Sequence, residues 1–377
     1  MRLSVCMIVG NDAATLPRAV GSAAEIADEV VILATAGTEP VERALAASAR
    51  IRLVHFSWCD DFSMARNASF SIAAGEWILW LDADEWLNSA AIPQIQACLS
   101  DASTLAWLCW IQDQSGDDGA PRFSPTPLPR LFRRMPQLQV AGRVHEQFSP
   151  DIMETARRLR LHVRQSDVRI FHDGYSTAAE AVKLARNIRL MQLELNDNPQ
   201  HFQRLIRLSQ ALLKLGKAEG LDYLLQAWRQ IADADHPPAV PLAAALLDSI
   251  IVRQTRGECD SGRSLEELHA VATAWFPRWP PLIWRRANWH FKLGRIPTAA
   301  RELENILRLA MEKEYQSAPS FDMDLLNGRT HLDLGICYAA MGVRAEAIRC
   351  FNAAMRFPRW MPAARRNLEI LHKSPPG

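Results

Sequence analysis

The apolar run of residues 77–81, which ends in the acidic residues Asp82, Asp84 and Glu85, constrains this chain most. Five large apolar side chains in a row predict a strand that is covered on both faces. Open α/β sheets bind ligands at the carboxyl ends of their parallel strands, which is where this acidic group falls. Because side chains two residues apart on an extended chain point to the same side, Asp82 and Asp84 can share one hard cation. A solubilising acidic turn is the alternative, and it is the commoner meaning of an isolated Asp-x-Asp.

Strand-like and helix-like segments alternate along the first 112 residues. The predicted strands are residues 3–9, 29–35, 51–56, 77–81 and 105–112. The predicted helices are residues 15–24, 39–49 and 63–74, with Thr15 as an N-cap of the first and Gly75 as a C-cap of the third. This rhythm predicts βαβ units around a mostly parallel sheet. Residues 121–172 are irregular in pattern, apart from a last strand at 167–172.

After Tyr175 the apolar residues recur at helical spacing to the end of the chain, which predicts two domains, residues 1–175 and 176–377. The helical half contains a degenerate repeat with a period near 34 residues. Its clearest copy consists of Leu334, Gly335, Tyr338, Ala347, Phe351 and Ala354. The spacing of these small and large residues indicates tetratricopeptide-like packing, and an unrelated helical bundle is the alternative.

Charge and cysteine content exclude several classes of protein. Lys and Arg number 43 against 42 Asp and Glu, so the net charge of +1 gives no support for a nucleic-acid partner. The seven cysteines form no Cys-x-x-Cys pair, which argues against zinc clusters and a disulfide framework. No window has the roughly 18 uninterrupted apolar residues of a transmembrane helix. We therefore expect a cytoplasmic protein without a transmembrane segment.

Several segments of the first half, taken in order, resemble family 2 glycosyltransferases. The opening strand, residues 4–12, is similar to that of inverting members of the family. The chain resembles one bacterial branch of this family more specifically. Members of that branch often carry C-terminal tetratricopeptide repeats. The segments that carry this second resemblance are Phe56 to Asn67, Gly75 to Glu85, Arg130 to Arg133, Gly142 to Glu146, and His172 to Tyr175. The resemblance covers residues 1–200 by sequence and the remainder by architecture only.

The resemblance implies a GT-A fold, which is a Rossmann-like α/β domain with a mostly parallel sheet, and a divalent cation, Mn²⁺ or Mg²⁺. It also implies a nucleotide-diphosphate sugar as donor, with a UDP-sugar favoured. By this analogy Asp84 is the direct metal ligand, Asp82 lies nearer the ribose or the water shell of the metal, and His172 adds an imidazole ligand. A cation suits the reaction because the diphosphate leaving group concentrates negative charge. A structural, hydrogen-bonded role is the alternative for His172.

Inversion at the sugar carbon requires a base that takes the proton of the acceptor. By the resemblance, Glu146 in Gly-Arg-Val-His-Glu falls where the family places an acid in the acceptor pocket, and His145 beside it is a second candidate. The alternative for Glu146 is a surface carboxylate that pairs with Arg143.

The resemblance also implies a donor cradle whose candidate residues are Asn11, Thr35, Asp61, Arg66, Asn67 and Asp82. A planar, bidentate Arg66 is well shaped to pair with a diphosphate. The structural alternative is that Asp61 and Arg66 tie a loop to the start of a helix.

The chain departs from the family after the second strand. Relatives usually carry Asp-Thr-Gly-Ser-x-Asp there, and the start of that segment contacts the nucleotide base. This chain has Ala34 where the first carboxylate is expected, although Glu39 can stand in for the later one. Two further departures are Gly10 for a usual Lys and Asp12 for a usual Glu. Loss of a carboxylate from a base pocket weakens or changes base selection, because an unpaired buried amide is costly.

Two functions follow from the sequence. The first is a metal-dependent, inverting glycosyltransferase of hexosyltransferase type, acting on a peptide, protein or saccharide acceptor. The second is a catalytically degenerate transferase that acts as a protein-binding scaffold through its helical repeats, since repeat arrays build grooves suited to extended peptides. The intact Asp-x-Asp favours the first.

Overall fold

A computed structural model of the chain describes residues 2–10, 14–45, 50–113, 123–172 and 177–373. The chain forms two compact units, Met1–Pro121 with Pro125–Pro199, and Arg122–Ser124 with Gln200–Gly377. The first unit combines strands and helices, and in the described part of the second unit every regular element is a helix. The donor-site candidate Asn11 and the expected boundary residue Tyr175 lie outside the described residues.

The described part of the first unit contains ten strands. They are β1 (Leu3–Val9), β2 (Glu29–Ala34), β3 (Ile51–His55), β4 (Trp77–Trp80), β5 (Glu85–Leu87), β6 (Thr104–Asp113), β7 (Thr126–Arg133), β8 (Val140–Ala141), β9 (Gln147–Phe148) and β10 (His162–His172). Eight of them form one sheet in the order β3-β2-β1-β4-β7-β6-β10-β5, and β8 pairs with β9 separately. Strands β1 to β4 pair in parallel, as do β6 and β10, whereas β7 is antiparallel to both neighbours and β5 is antiparallel to β10. The mostly parallel sheet that the sequence predicts is confirmed, with antiparallel strands in its second half.

Strand β4 lies between β1 and β7 and is buried along its whole length. Alternate residues enter two different cores, one on each face of the sheet. Trp77, Leu79 and Leu81 belong to one core, while Ile78 and Trp80 belong to the other. The continuous apolar run is therefore the consequence of a central strand with no solvated face.

Six helices complete the described part of the first unit: α1 (Leu16–Ala24), α2 (Glu39–Ala44), α3 (Phe62–Ile72), α4 (Ala91–Leu99), α5 (Ile152–Leu159) and α6 (Thr177–Asp197). The first three lie where the sequence predicts helices, and residues 46–49 of the predicted second helix lie outside the described residues. The sequence pattern did not predict α4 and α5. Because α6 groups with the first unit, that unit extends past residue 175, where the periodicity changes.

Strand β7 occupies part of the segment that is irregular in sequence. It contains Pro127 and Pro129, which argue against a central strand because proline lacks the amide hydrogen of the ladder. Strand β7 pairs with β4 only at residues 131–133, whereas it pairs with β6 over residues 126–132. The prolines therefore lie where β7 has a sheet neighbour on one side only, which explains why they are tolerated.

The prediction that Gly75 caps α3 is wrong. The C-cap residue of α3 is Ala73, and Gly75 is not among the residues with positive φ. Gly75 instead passes so close to β1 that an added Cβ would lie 2.7 Å from both the backbone nitrogen and the Oγ of Ser4. The Gly75 amide donates a hydrogen bond to that same Oγ, at 2.8 Å. Close approach to a neighbouring strand, rather than helix capping, requires the glycine.

The second unit contains nine described α-helices: α7 (Phe202–Lys214), α8 (Gly220–Arg229), α9 (Leu242–Thr255), α10 (Leu265–Trp275), α11 (Pro280–Lys292), α12 (Ile296–Glu312), α13 (Gly328–Ala340), α14 (Arg344–Ala354) and α15 (Met361–Lys373). A short 3₁₀ helix, Met323–Leu326, precedes α13.

The repeat residue Gly335 of α13 packs on the ring of Phe351 of α14, where a Cβ would lie 2.6 Å from Cε1. This small-against-large packing confirms the tetratricopeptide-like arrangement of the last repeat. Over the described residues, no helix has the length and apolar character needed to cross a bilayer.

We predict that Gly75→Ala destabilises the first unit by about 1–3 kcal/mol, because the new methyl group forces Ser4 and β1 to move. Gly21→Ala is the matched control, since a Cβ there meets nothing within 4 Å. That control should be neutral or stabilising by up to about 1 kcal/mol, because Gly21 lies inside α1. Urea unfolding followed by circular dichroism measures both. Equal midpoints for the two variants would contradict the close-approach explanation.

Candidate functional site

Two buried arginines hold Asp82, which follows β4 after one residue. Arg66 Nη2 lies 2.7 Å from Asp82 Oδ1, and Arg130 Nη2 lies 3.3 Å from Asp82 Oδ2. The indole Nε1 of Trp80 also donates to Oδ1, at 3.1 Å. Burial opposes ionisation of Asp82, but the charges of Arg66 and Arg130 outweigh it and hold the pKa of Asp82 well below its usual range. With both carboxylate oxygens engaged, Asp82 is poorly placed to be a direct metal ligand.

The two guanidinium groups lie over Trp80. The Cζ atoms of Arg66 and Arg130 are 4.4 and 4.7 Å from centroids of the Trp80 rings. Both arginines are buried, yet Arg66 Nε, Arg66 Nη1 and Arg130 Nη1 have no hydrogen-bond partner among the described residues. Buried donors without partners are rare in folded proteins and commonly contact ordered water or a ligand. The two arginines thus have more donors than the surrounding carboxylates use.

Glu85, the first residue of β5, also contacts the arginine cluster, which consists of Arg66 and Arg130. Its Oε1 lies 2.9 Å from Arg130 Nη2, and its Oε2 accepts a hydrogen bond from the backbone nitrogen of Asp82 at 2.9 Å. Burial raises the pKa of Glu85 to about 7. Glu85 thus fixes both the turn after β4 and the orientation of Arg130.

Glu146 lies beside the same arginine cluster. Its side chain is 10% exposed, and its Oε1 lies 3.6 Å from Arg66 Nε. That oxygen has no hydrogen-bond partner among the described residues. Burial raises the pKa of Glu146, and the charge of Arg66 offsets only part of this effect. The alternative of a surface carboxylate paired with Arg143 is wrong, because the Glu146 side chain is largely enclosed and its ion pair is with Arg66.

Two contacts with α3 position the loop between β8 and β9, which carries both base candidates. The side-chain amide of Asn67 donates to the Val140 carbonyl at 2.8 Å, and its oxygen accepts from the Val140 nitrogen at 2.9 Å. The backbone nitrogen of Phe62 donates to the Arg143 carbonyl at 2.9 Å. The structure therefore gives Asn67 a positioning contact toward the loop.

His145, the second base candidate, has a left-handed backbone conformation. Its φ is 54°, which is uncommon for a residue other than glycine. The conformation occurs directly before Glu146, whose side chain contacts Arg66. The left-handed conformation of His145 is consistent with a loop whose shape is set by the contact of Glu146 with Arg66.

Asp84 has different partners from Asp82. Its Oδ2 lies 3.0 Å from Lys183 Nζ of α6 and 3.5 Å from His172 Nε2 at the end of β10. Burial opposes ionisation, but the hydrogen bond with His172 and the charge of Lys183 keep the pKa of Asp84 below its usual range. The antiparallel pairing of β10 with β5 sets His172 opposite Glu85, next to Asp84 in the chain.

Asp84 and His172 have the chemistry to hold a divalent cation. A carboxylate suits Mn²⁺ or Mg²⁺, which accept few protein ligands and keep several waters, whereas an imidazole suits Mn²⁺ better than Mg²⁺. Among the described residues, no group of three or more His, Cys, Asp or Glu side chains is arranged to hold a metal ion. Asp84 and His172 are therefore two candidate ligands, and both oxygens of Asp82 are already bound by the arginines.

Two other predicted donor residues have local contacts. Asp61 is the N-cap of α3, and its Oδ1 accepts from the Met64 nitrogen at 3.1 Å. Thr35 Oγ1 donates to the Val9 carbonyl at 3.0 Å. The structural alternative for Asp61, a tie to the start of the helix, is therefore observed.

The segment that departs from the family has no carboxylate at the end of β2. Ala34 ends this strand fully buried. Glu39 lies exposed in α2, where its Oε1 is 3.7 Å from Arg43 Nη1. The structure thus brings Arg66 together with Asp82 and Glu146, and Asp84 together with His172, whereas the ion pair of Glu39 is local to its own helix.

The sequence interpretation assigned no role to Arg130 or Lys183. Arg130 lies in one of the segments that resemble the family, but its charge partners are Asp82 and Glu85, 48 and 45 residues away. Lys183 lies 99 residues after Asp84, in a helix that the periodicity assigned to the second domain. The cluster of carboxylates at the end of a buried strand was the sequence signal for these two residues, because buried carboxylates require positively charged partners.

The first unit thus combines a mostly parallel sheet with the acidic end of β4 and the carboxylate of Glu146 beside Arg66. The family described as Glycosyl transferase family 2 matches residues 4–151. A TPR repeat-containing protein of Synechococcus elongatus is 37% identical over 146 residues, which are 38% of this chain and 35% of that protein. The SPbeta prophage-derived glycosyltransferase SunS of Bacillus subtilis is 25% identical over 226 residues, 58% of this chain and 51% of that protein. The family match therefore covers residues 4–151 of this chain.

Among solved structures, S. aureus TarS 1–349 matches with a TM-score of 0.37 and 14% identity, covering 76% of this chain and 87% of that chain. The chain spans about a third of the length of the first curated relative and about half of the second.

We predict that Arg66→Met destabilises the first unit by about 3–5 kcal/mol, because it removes the buried counter-charge of Asp82 and Glu146. Arg164→Met is the control, since Arg164 is half exposed and pairs with Asp101 at 3.2 Å. An exposed pair of this kind contributes about 0–1 kcal/mol. Urea unfolding measures the two losses, and a small loss at Arg66 would show that its charge is not needed for folding.

Proposed function

We propose that this chain is an inverting glycosyltransferase that moves a sugar from a nucleotide-diphosphate donor to an acceptor with the help of a divalent cation. The observation that carries the proposal is the position of Arg66, which contacts both Asp82 at the end of β4 and Glu146 in the loop between β8 and β9. One guanidinium thus joins the residues that the resemblance assigns to the donor and to the base. The family match over residues 4–151 supports the same activity.

Asp84 and His172 would hold the cation, Mn²⁺ or Mg²⁺. When bound, such a cation neutralises the charge that develops on the diphosphate as the glycosidic bond breaks. Arg66 and Arg130 keep Asp82 ionised and oriented, so that its role is to contact the ribose or the waters of the cation.

Glu146 is the proposed base. An inverting transfer needs a base that accepts the proton of the acceptor while the acceptor oxygen, nitrogen or sulfur attacks the sugar carbon. Burial raises the pKa of Glu146, which increases its strength as a base. His145 is the alternative base.

Two features of the chain guide the choice of donor and acceptor. A UDP-sugar is the first donor to test, and Ala34 in place of the usual carboxylate makes other nucleotides worth including. The helical repeats of the second unit suit an extended peptide or protein acceptor, since repeat arrays form concave grooves. A saccharide is the other acceptor class.

The activity is tested by release of nucleoside diphosphate from a panel of nucleotide sugars in the presence of Mn²⁺. We predict that Asp84→Ala lowers the rate about 100-fold or more, because the cation contributes several kcal/mol to the transition state. Glu154→Gln is the control, since Glu154 is exposed in α5. If no nucleotide sugar is bound or hydrolysed by the wild-type chain, the scaffold function is favoured instead.

We predict that Glu146→Gln lowers transfer by about 10²–10⁴-fold, the usual contribution of a general base, while binding of Mn²⁺ and nucleotide is retained. In the wild type, transfer should fall as the pH drops through the raised pKa of Glu146, because only the ionised carboxylate accepts a proton. That decline should lie above the ordinary glutamate value of about 4.3. A rate profile against pH measures it, and an unchanged profile in Glu146→Gln would assign the base to another group.

A further inference from the structure

Helix α6 places a positive charge on the candidate metal ligand. Lys183 Nζ lies 3.0 Å from Asp84 Oδ2, and the two side chains are 34% and 29% exposed. The same Asp84 oxygen faces His172 Nε2 at 3.5 Å. The ammonium group therefore occupies space beside the two groups that would bind a cation.

Further contacts hold α6 against the same region of the first unit. Arg189 forms a bidentate ion pair with Asp60, which immediately precedes the N-cap residue of α3. The guanidinium of Arg186 lies 4.7 Å from the ring centroid of Phe62. The position of Lys183 next to Asp84 is thus supported by contacts on the two following turns of the helix.

We propose that Lys183 is a positioning residue of the cation site, whose ammonium group takes the place of the divalent cation on Asp84 until the cation displaces it. The inference rests on the proposed function, because it assumes that Asp84 binds the cation. An ammonium group and a divalent cation repel each other, so the contact of Lys183 with Asp84 Oδ2 opposes cation binding at the same carboxylate. The long, flexible lysine side chain can move away without displacement of the helix.

This arrangement has a consequence that a purely structural ion pair would not have. The cation and the ammonium group of Lys183 compete for Asp84, so the contact lowers the apparent affinity for the cation. Removal of the ammonium group should therefore strengthen cation binding, whereas removal of a residue that only supports the fold should weaken it or leave it unchanged.

The test is Mn²⁺ binding to the full chain without nucleotide, measured by the electron paramagnetic resonance signal of free Mn²⁺. We expect Lys183→Met to bind Mn²⁺ about fivefold more tightly than the wild type, as loss of a partly exposed ion pair implies. Lys183→Arg, which keeps the charge, should show no such gain. Arg164→Met is the matched control, because it removes a cation of the first unit that pairs with Asp101 instead of Asp84 and lies outside α6.

The outcomes separate this inference from the proposed function. Tighter Mn²⁺ binding in Lys183→Met alone supports the inference, and Asp84→Asn should abolish that binding. Unchanged or weaker binding in Lys183→Met, with normal binding in the wild type, overturns the inference and leaves the proposed function standing. Absence of Mn²⁺ binding in both chains overturns the inference together with the metal-dependent part of the proposed function.

Discussion

The ion pairs of Arg66 are the interaction on which the site depends. Arg66 and Arg130 provide two buried positive charges, and they face the three carboxyl groups of Asp82, Glu85 and Glu146. Buried charges are costly unless they are compensated, so two cations cannot fully stabilise three ionised acids. The strongly paired Asp82 stays ionised, whereas burial raises the pKa of Glu85 and of Glu146. Burial and partial pairing thus give the three carboxyl groups of one cluster different proton affinities.

The central position of β4 makes this arrangement possible. Its alternating side chains fill both cores, which brings Trp80 to the face where Arg66 and Arg130 lie over its rings. Asp82, which both arginines bind, follows within two residues of the end of the strand. Packing of the sheet and electrostatics of the site are therefore coupled through the same four residues.

The sequence predicted the parts of this structure that local pattern determines. The apolar run revealed β4, and the acidic residues after it marked the edge where the candidate site lies. The sequence did not predict β7, because Pro127 and Pro129 argue against a central strand. The prolines are tolerated because that part of β7 pairs with β6 alone. Partners that are distant in the chain, such as Lys183 for Asp84, leave no periodic signal because the fold alone brings them together.

The two aspartates of Asp-x-Asp differ in how easily their partners can be exchanged. Asp82 is held by two buried guanidinium groups whose removal would leave uncompensated charge, so a ligand must adapt to it. Asp84 contacts a lysine that is 34% exposed, and an ion pair of this kind contributes only about 0–1 kcal/mol. In the proposed function, Asp84 would therefore exchange its partner for the cation, while Asp82 stays fixed by the arginines.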